Sequence, residues 1–264
     1  MSKGSTPPAT SVTSKRFYDA YSRGYSAYLE RHAGYFRAVE RVLAEAAGDR
    51  EGLALLDVGT GTGERLQRIV TEIRPSRVVA IDESPEMAAL ARRNCPSAEV
   101  LAIPLAAPQL PAALSSTSDA LTVDAAKSDG AKFDLVTCLS NVLGHVPRAQ
   151  LLTGLKQVRS LLKPGGSFVF DVNNRYNAVS YGRFRAVRNL VRDRLLPGGG
   201  DFTTAYRNGD EVLRTSVHLF SPSEVAGLLG ESGFTLTFLG FRDYSTGRER
   251  GRFGGSIVAK AVNA

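Results

Sequence analysis

The stretch Leu55–Leu66, LLDVGTGTGERL, sets glycines at alternate positions 59, 61 and 63 directly after an apolar run. LALLDV before it reads as a buried strand, and ERLQRIVTEI after it as a helix. A turn this bare lets a ligand approach the backbone, and the spacing narrows which ligand. A dinucleotide fingerprint, G-x-G-x-x-G, requires a third glycine where Glu64 stands. A phosphate-cradling loop requires Gly-Lys-Ser/Thr, which is missing from the chain. The loop therefore points to a ligand without phosphates at its contact.

The segments around it alternate. RVVAID (77–82) reads as a second strand, followed by a helix capped by Ser84 with Pro85 in its first turn. AEVLAI, FDLVTCL and SFVFDV read as the third to fifth strands, with a helix in RAQLLTGLKQVRSLL. FTLTFLGF and GSIVAKAV follow, after a helix in SPSEVAGLLGESG. Strands alternating with helices predict a doubly wound, mostly parallel sheet of seven strands. Asp82, ending the second strand, lies at the carboxyl edge where such sheets bind ligands, and a carboxylate accepts two hydrogen bonds from a ribose diol. The alternative is that Asp82 and Ser84 only cap a helix.

Four segments in order resemble the class I S-adenosylmethionine-dependent methyltransferases: LLDVGTGTG, VVAIDESPEM, FDLVTCLSNVLGHV and LKPGGSFVFDV. The resemblance spans roughly residues 18–262 and implies the Rossmann-like fold of that superfamily, with S-adenosylmethionine as cofactor and no metal. It implies that Gly59, Thr60, Gly61 and Gly63 hug the methionine moiety while Asp57 supports the loop. Asp82, with Glu83 beside it, takes the ribose, Met87 flanks the adenine, and the Leu139 backbone meets the methionine end. FYDAYSRGYSAY is similar to an N-terminal helix that folds over the cofactor, which nominates Tyr18 and Tyr25 for its carboxylate. The chain departs from the pattern after the third strand, where LAIPLAAP replaces Gly-Asp-Ala. Either Ile103 covers the adenine by backbone and packing, or Asp119 or Asp124 folds back to it.

The acceptor side is less determined. His145, past the fourth strand, is a candidate general base by its ordinary pKa, or else a packing residue of the next helix. Asn141 is a candidate liner of the methyl channel. DVNNRYN, faintly similar to a segment of glycine and sarcosine N-methyltransferases, nominates Arg175 and Tyr176 as substrate contacts; the alternative is a structural turn. In YGRFRAVRNLVRDRLL, Phe184, Val187, Leu190 and Val191 share one helical face, and Arg185, Arg188 and Arg192 another. That helix reads as a solvated surface, an anion-binding lid, or a helix on a membrane surface beside a lipid-like substrate.

Composition bounds the rest. The 264 residues carry a net charge of +7. From Arg175 onward 13 Lys/Arg face 8 Asp/Glu, so +5 of it lies there. This suits an anionic acceptor; with no RNP-like motif, zinc-ligand cluster, Asn-Pro-Pro-Tyr element or Pro-Cys pair, no nucleic acid is expected as partner. Cys95 and Cys138 form no framework and fit a cytoplasmic protein. Residues 1–14 are polar and predict a disordered leader, and no run reaches transmembrane length. The expected organisation is one domain, 15–264, with a helical lid over 15–50, a weakly patterned loop over 104–132 and a cap inserted over about 174–218. The expected activity is methyl transfer to nitrogen or oxygen of a small, anionic or lipid-like molecule, by a monomer or homodimer. RNA methylation and cofactor binding without catalysis are the alternatives.

Overall fold

The computed structural model of the chain describes residues 9–22, 25–115, 132–195, 199–208 and 211–264. Its centre is a seven-stranded sheet: β2 (Ala54–Val58), β3 (Arg77–Asp82), β4 (Glu99–Ala102), β5 (Phe133–Cys138), β6 (Leu162–Val172), β9 (Thr235–Arg242) and β10 (Ser256–Val262). The order is β4-β3-β2-β5-β6-β10-β9, with β10 antiparallel to both neighbours and the others parallel. The expected mostly parallel, doubly wound sheet is thus present, strand for strand.

Alternation along the strands divides the core in two. Leu55, Leu135, Val169 and Val258 face α3 (Ala33–Ala47), α4 (Glu64–Ile73) and α5 (Pro85–Asn94), packing against Phe36, Val39, Leu66, Ile69 and Ala88. Leu56, Val136 and Phe168 face the opposite layer, where α7 (Arg148–Leu161) and α10 (Pro222–Glu231) supply Leu151, Leu155, Val158, Val225 and Leu229. Local chemistry fixes the helix starts. The Ser84 hydroxyl accepts from the Met87 N–H at 3.1 Å, and Ser221 forms a reciprocal capping box with Glu224.

Three boundaries differ from the sequence expectation. The lid is α1 (Ser14–Tyr21) and α2 (Tyr25–Arg31) only, because α3 buries Phe36 and Val39 completely and belongs to the core. The weakly patterned segment contains α6 (Leu110–Ser115), which sinks Leu110 and Leu114 into the core; residues 116–131 lie outside the described residues. The polar leader is partly ordered as well. Ala9–Ser11 form β1, parallel to β8 (Glu211–His218), which pairs with β7 (Asp201–Asn208) in a second, three-stranded sheet. Short polar residues are compatible with such an edge strand because its ladder bonds are made by backbone.

The rest of the cap is α8 (Ala178–Tyr181) and α9 (Arg183–Leu195). Among the described residues no helix is long and apolar enough to cross a membrane.

Candidate active site

The carboxyl edge of β2, β3 and β5 opens into a cavity of about 630 Å³. Gly59 and Gly61 form part of its floor. Gly61 has φ +61°, in the left-handed region that a side chain disfavours, and a Cβ there would stand 3.3 Å from the Tyr25 ring. Its N–H donates to Asp82 Oδ2 at 2.8 Å, while the Ser84 N–H donates to Asp82 Oδ1 at 2.9 Å. Each carboxylate oxygen keeps a lone pair for a ligand hydroxyl. Burial pushes the Asp82 pKa up to about 6, against the two backbone donors that hold it down.

Glu83, Met87, Ile103, Tyr18 and Tyr25 also line this cavity, so the residues nominated for ribose, adenine and methionine carboxylate surround one space. Asp119 and Asp124 lie outside the described residues. The loop is braced from below, where Thr137 Oγ1 donates to Asp57 Oδ1 at 2.5 Å. Two of the expected loop contacts have other work. A Cβ on Gly63 would come within 2.6 Å of the Ala91 backbone, so this glycine lets α4 approach α5 and does not face the cavity. Thr60 turns its N–H to the Ile81 carbonyl at 3.1 Å and stays outside the lining. Leu139 is likewise buried beneath the surface, while its successor Ser140 reaches the cavity.

A smaller chamber of about 250 Å³ adjoins the first and shares Tyr18, Tyr25, Ser140 and His145 with it. Tyr21 and Tyr28 from the lid, Tyr206 from the cap and Tyr244 after β9 complete an aromatic enclosure. Their rings meet edge-on or tilted: Tyr21 and Tyr206 at 4.8 Å between centroids, Tyr25 and Tyr28 at 5.4 Å. Burial raises the pKa of Tyr18, Tyr21, Tyr25 (to about 12) and Tyr244, so these phenols are uncharged at neutral pH. Asn141 is on the chamber wall with φ +60°. Its Oδ1 accepts from the Asn173 N–H at 2.8 Å, which leaves Nδ2 buried and without a partner, ready for a ligand oxygen.

His145 ends a 3-10 turn over Val142–His145 and meets the Tyr18 hydroxyl through Nε2 at 2.9 Å. Burial drives its pKa down to about 4. An imidazole so disinclined to hold a proton is a weak base, and its visible task is to tie the lid to the core.

Arg175 and Tyr176, expected at the substrate, are elsewhere. Arg175 is buried, with Nε 2.7 Å from Asp193 and a terminal nitrogen 2.9 Å from Glu224, and it also bonds the Gly199 carbonyl. The Tyr176 hydroxyl donates to Asp193 at 2.6 Å. With its donors committed internally, this pair pins α9 and α10 to the β6 edge and lines neither cavity. Arg185, Arg188 and Arg192 line neither cavity as well. The sequence reading missed Ser14, whose hydroxyl bonds Glu83, and Asp19, which accepts from the Ser84 hydroxyl at 2.5 Å. It also missed Asp171 and the tyrosines 21, 28, 206 and 244, which become neighbours only through the fold.

A family model described as a methyltransferase domain matches residues 28–238. No curated protein matches the chain by sequence. Among solved structures, magnesium protoporphyrin IX methyltransferase from Synechocystis PCC 6803, with S-adenosylmethionine bound, superposes with a TM-score of 0.57 at 16% identity, covering 97% of this chain and all of that one. An amino pentose methyltransferase from Micromonospora echinaspora gives 0.56 at 18%, covering 92% and 97%. A sugar N-methyltransferase from a Streptoalloteichus species gives 0.54 at 20%, covering 98% of each chain. These similarities establish a shared fold.

Proposed function

The chain belongs to the methyltransferase-domain family, and from that premise we propose that it methylates an amine nitrogen of a small molecule. The cofactor, S-adenosylmethionine, would supply an electrophilic methyl on a sulfonium: a neutral amine attacking that carbon forms the N–C bond as the C–S bond breaks, so the sulfur leaves as a neutral thioether and the positive charge passes to the nitrogen, which keeps any proton it carried. In the larger cavity Asp82 would take the ribose diol and Met87 and Ile103 the adenine. The Gly59 and Gly61 backbone would hold the methionine end, and the neutral phenols of Tyr18 and Tyr25 could donate to its carboxylate.

The tyrosine chamber carries the choice of nitrogen. Its described lining includes no Asp, Glu, Lys or Arg and five tyrosines besides Tyr18, whose ring faces carry negative quadrupoles. Such an enclosure suits a positive charge at roughly 0.5–2 kcal/mol per well-placed face. A reaction that passes that charge from sulfur to nitrogen stays complementary to the walls throughout. Methylation of a hydroxyl would also require a base; burial weakens His145, and the other imidazole on the larger cavity, His218, has both ring nitrogens held by Asp201 and Glu224. Without a base, orientation must supply most of the acceleration, which can reach roughly 7–11 kcal/mol for well-placed partners. The Asn141 amide is suited to hold an oxygen of the acceptor while its nitrogen faces the methyl.

The test is transfer of a tritiated methyl group to matched pairs of small amines and alcohols, with bulk tRNA alongside. The proposal expects label in amines only, with the rate climbing with pH as the ammonium form gives way to free amine. Label in alcohols or tRNA, with none in amines, would refute it.

A further inference from the structure

Helix α9, RFRAVRNLVRDRL, is amphipathic in the unusual sense: its apolar side faces away from the protein. Phe184, Val187, Val191 and Leu195, spaced three or four residues apart and therefore on one stripe, are 80%, 59%, 51% and 74% exposed. The opposite side docks on the cap, through Ala186 at 2% exposure, the Asn189 amide on the Arg175 carbonyl, and Asp193 on Arg175. Val179, 68% exposed in the preceding helix α8, adds to the apolar surface. Isolated exposed apolar residues are common; five within one helical hairpin mark a contact surface.

The flanks of the stripe identify the partner. Arg183, Arg185, Arg188 and Arg194 are exposed beside it, and the helix's one acid, Asp193, is turned inward to Arg175. A second copy docking by the same face would bring arginines against arginines, a like-charge contact with no acid to relieve it. An anionic lipid surface satisfies both halves of the pattern, taking the apolar stripe into the acyl boundary and the guanidinium groups among the phosphates. We infer that α9 is a peripheral membrane anchor, by which the protein lies on, and does not span, a membrane rich in anionic lipid. This holds whatever molecule the active site methylates.

Sedimentation with vesicles tests it directly. The full chain should pellet with phosphatidylglycerol–phosphatidylcholine vesicles and stay in the supernatant with phosphatidylcholine alone, and high salt should release it. Arg185→Gln with Arg188→Gln and Arg194→Gln should weaken binding by about fivefold for each charge removed. Phe184→Ser with Val191→Ser should abolish it. These side chains are exposed, so melting temperature and cofactor binding, measured alongside, should match the parent. Equal binding to neutral and anionic vesicles would overturn the inference, as would failure to bind either. Concentration-dependent dimerisation lost in Phe184→Ser would overturn it in favour of a second copy as the occupant.

Discussion

Asp171, near the end of β6, accepts the N–H of Ser140, just past β5, at 2.7 Å, so one buried carboxylate fixes the turn that both cavities share. The turn requires fixing, since Ser140 and Asn141 both hold positive φ, +69° and +60°, without being glycine. The Tyr35 hydroxyl donates to the second oxygen at 2.8 Å, and the charge of Arg65 lies close enough to counter part of the burial penalty on Asp171. Asp171→Ala should therefore lower unfolding free energy by about 2–4 kcal/mol, through donors left unpaired and strain left uncompensated. Denaturant titration measures this. An unchanged midpoint would mean that the turn holds itself.

Asp82, proposed for the ribose, would couple cofactor binding to pH. Its folded pKa of about 6 lies above the ordinary value of about 3.9. Protonation of this group therefore stabilises the free protein fully below about pH 4, and that contribution is lost as pH rises through 6. In the proposed reading ribose binding would run the other way, because the diol would bond the carboxylate. Calorimetry should show cofactor affinity falling by up to about tenfold per pH unit below 6. Asp82→Asn should bind weakly at every pH with no such slope; a parental slope in that variant would place the titrating group elsewhere.

His145→Ala and Tyr18→Phe remove the two ends of one hydrogen bond. Each should lower stability by about 1 kcal/mol, and the double variant by little more than either single one. Turnover at saturating acceptor should fall less than tenfold in His145→Ala. A loss of about 10²–10⁴ with stability intact would instead restore the general base.

Arg175→Ala strips Asp193 of its buried guanidinium partner, while Glu224 keeps His218 and Arg148. We expect a loss of about 3–5 kcal/mol, the usual consequence of stranding buried charge. Acceptor KM, measured where the variant remains folded, should hold. A raised KM with normal stability would return Arg175 to the substrate.

What sequence could and could not reveal follows from range. The strands and Gly61 announce themselves through short periodicities and backbone need, so the sheet and the place of its glycine turn were legible, whereas the separate tasks of Thr60 and Gly63 were not. The ion pairs of Arg175 were not legible, because a short motif says nothing of Asp193 and Glu224, whose carboxylates reach it only once the cap has folded. The tyrosine chamber was invisible for a related reason. Tyr21, Tyr206 and Tyr244 come from three separate stretches, and no local pattern joins them. β1 escaped because its partner, β8, lies some two hundred residues away and its own residues are polar.

That strand also leads into one wall of the larger cavity. Ser11–Ser14 form part of the wall of the larger cavity, yet the chain there is held by one short outermost strand, a bond from the Val12 N–H to the Arg214 carbonyl, and the Ser14–Glu83 contact. Peeling it away breaks a handful of bonds and disturbs none of the central sheet, which makes it a low-cost local opening beside the cavity. Spent cofactor would leave by that seam, and the speed with which the strand reseats would then set a ceiling on turnover however fast the methyl moves.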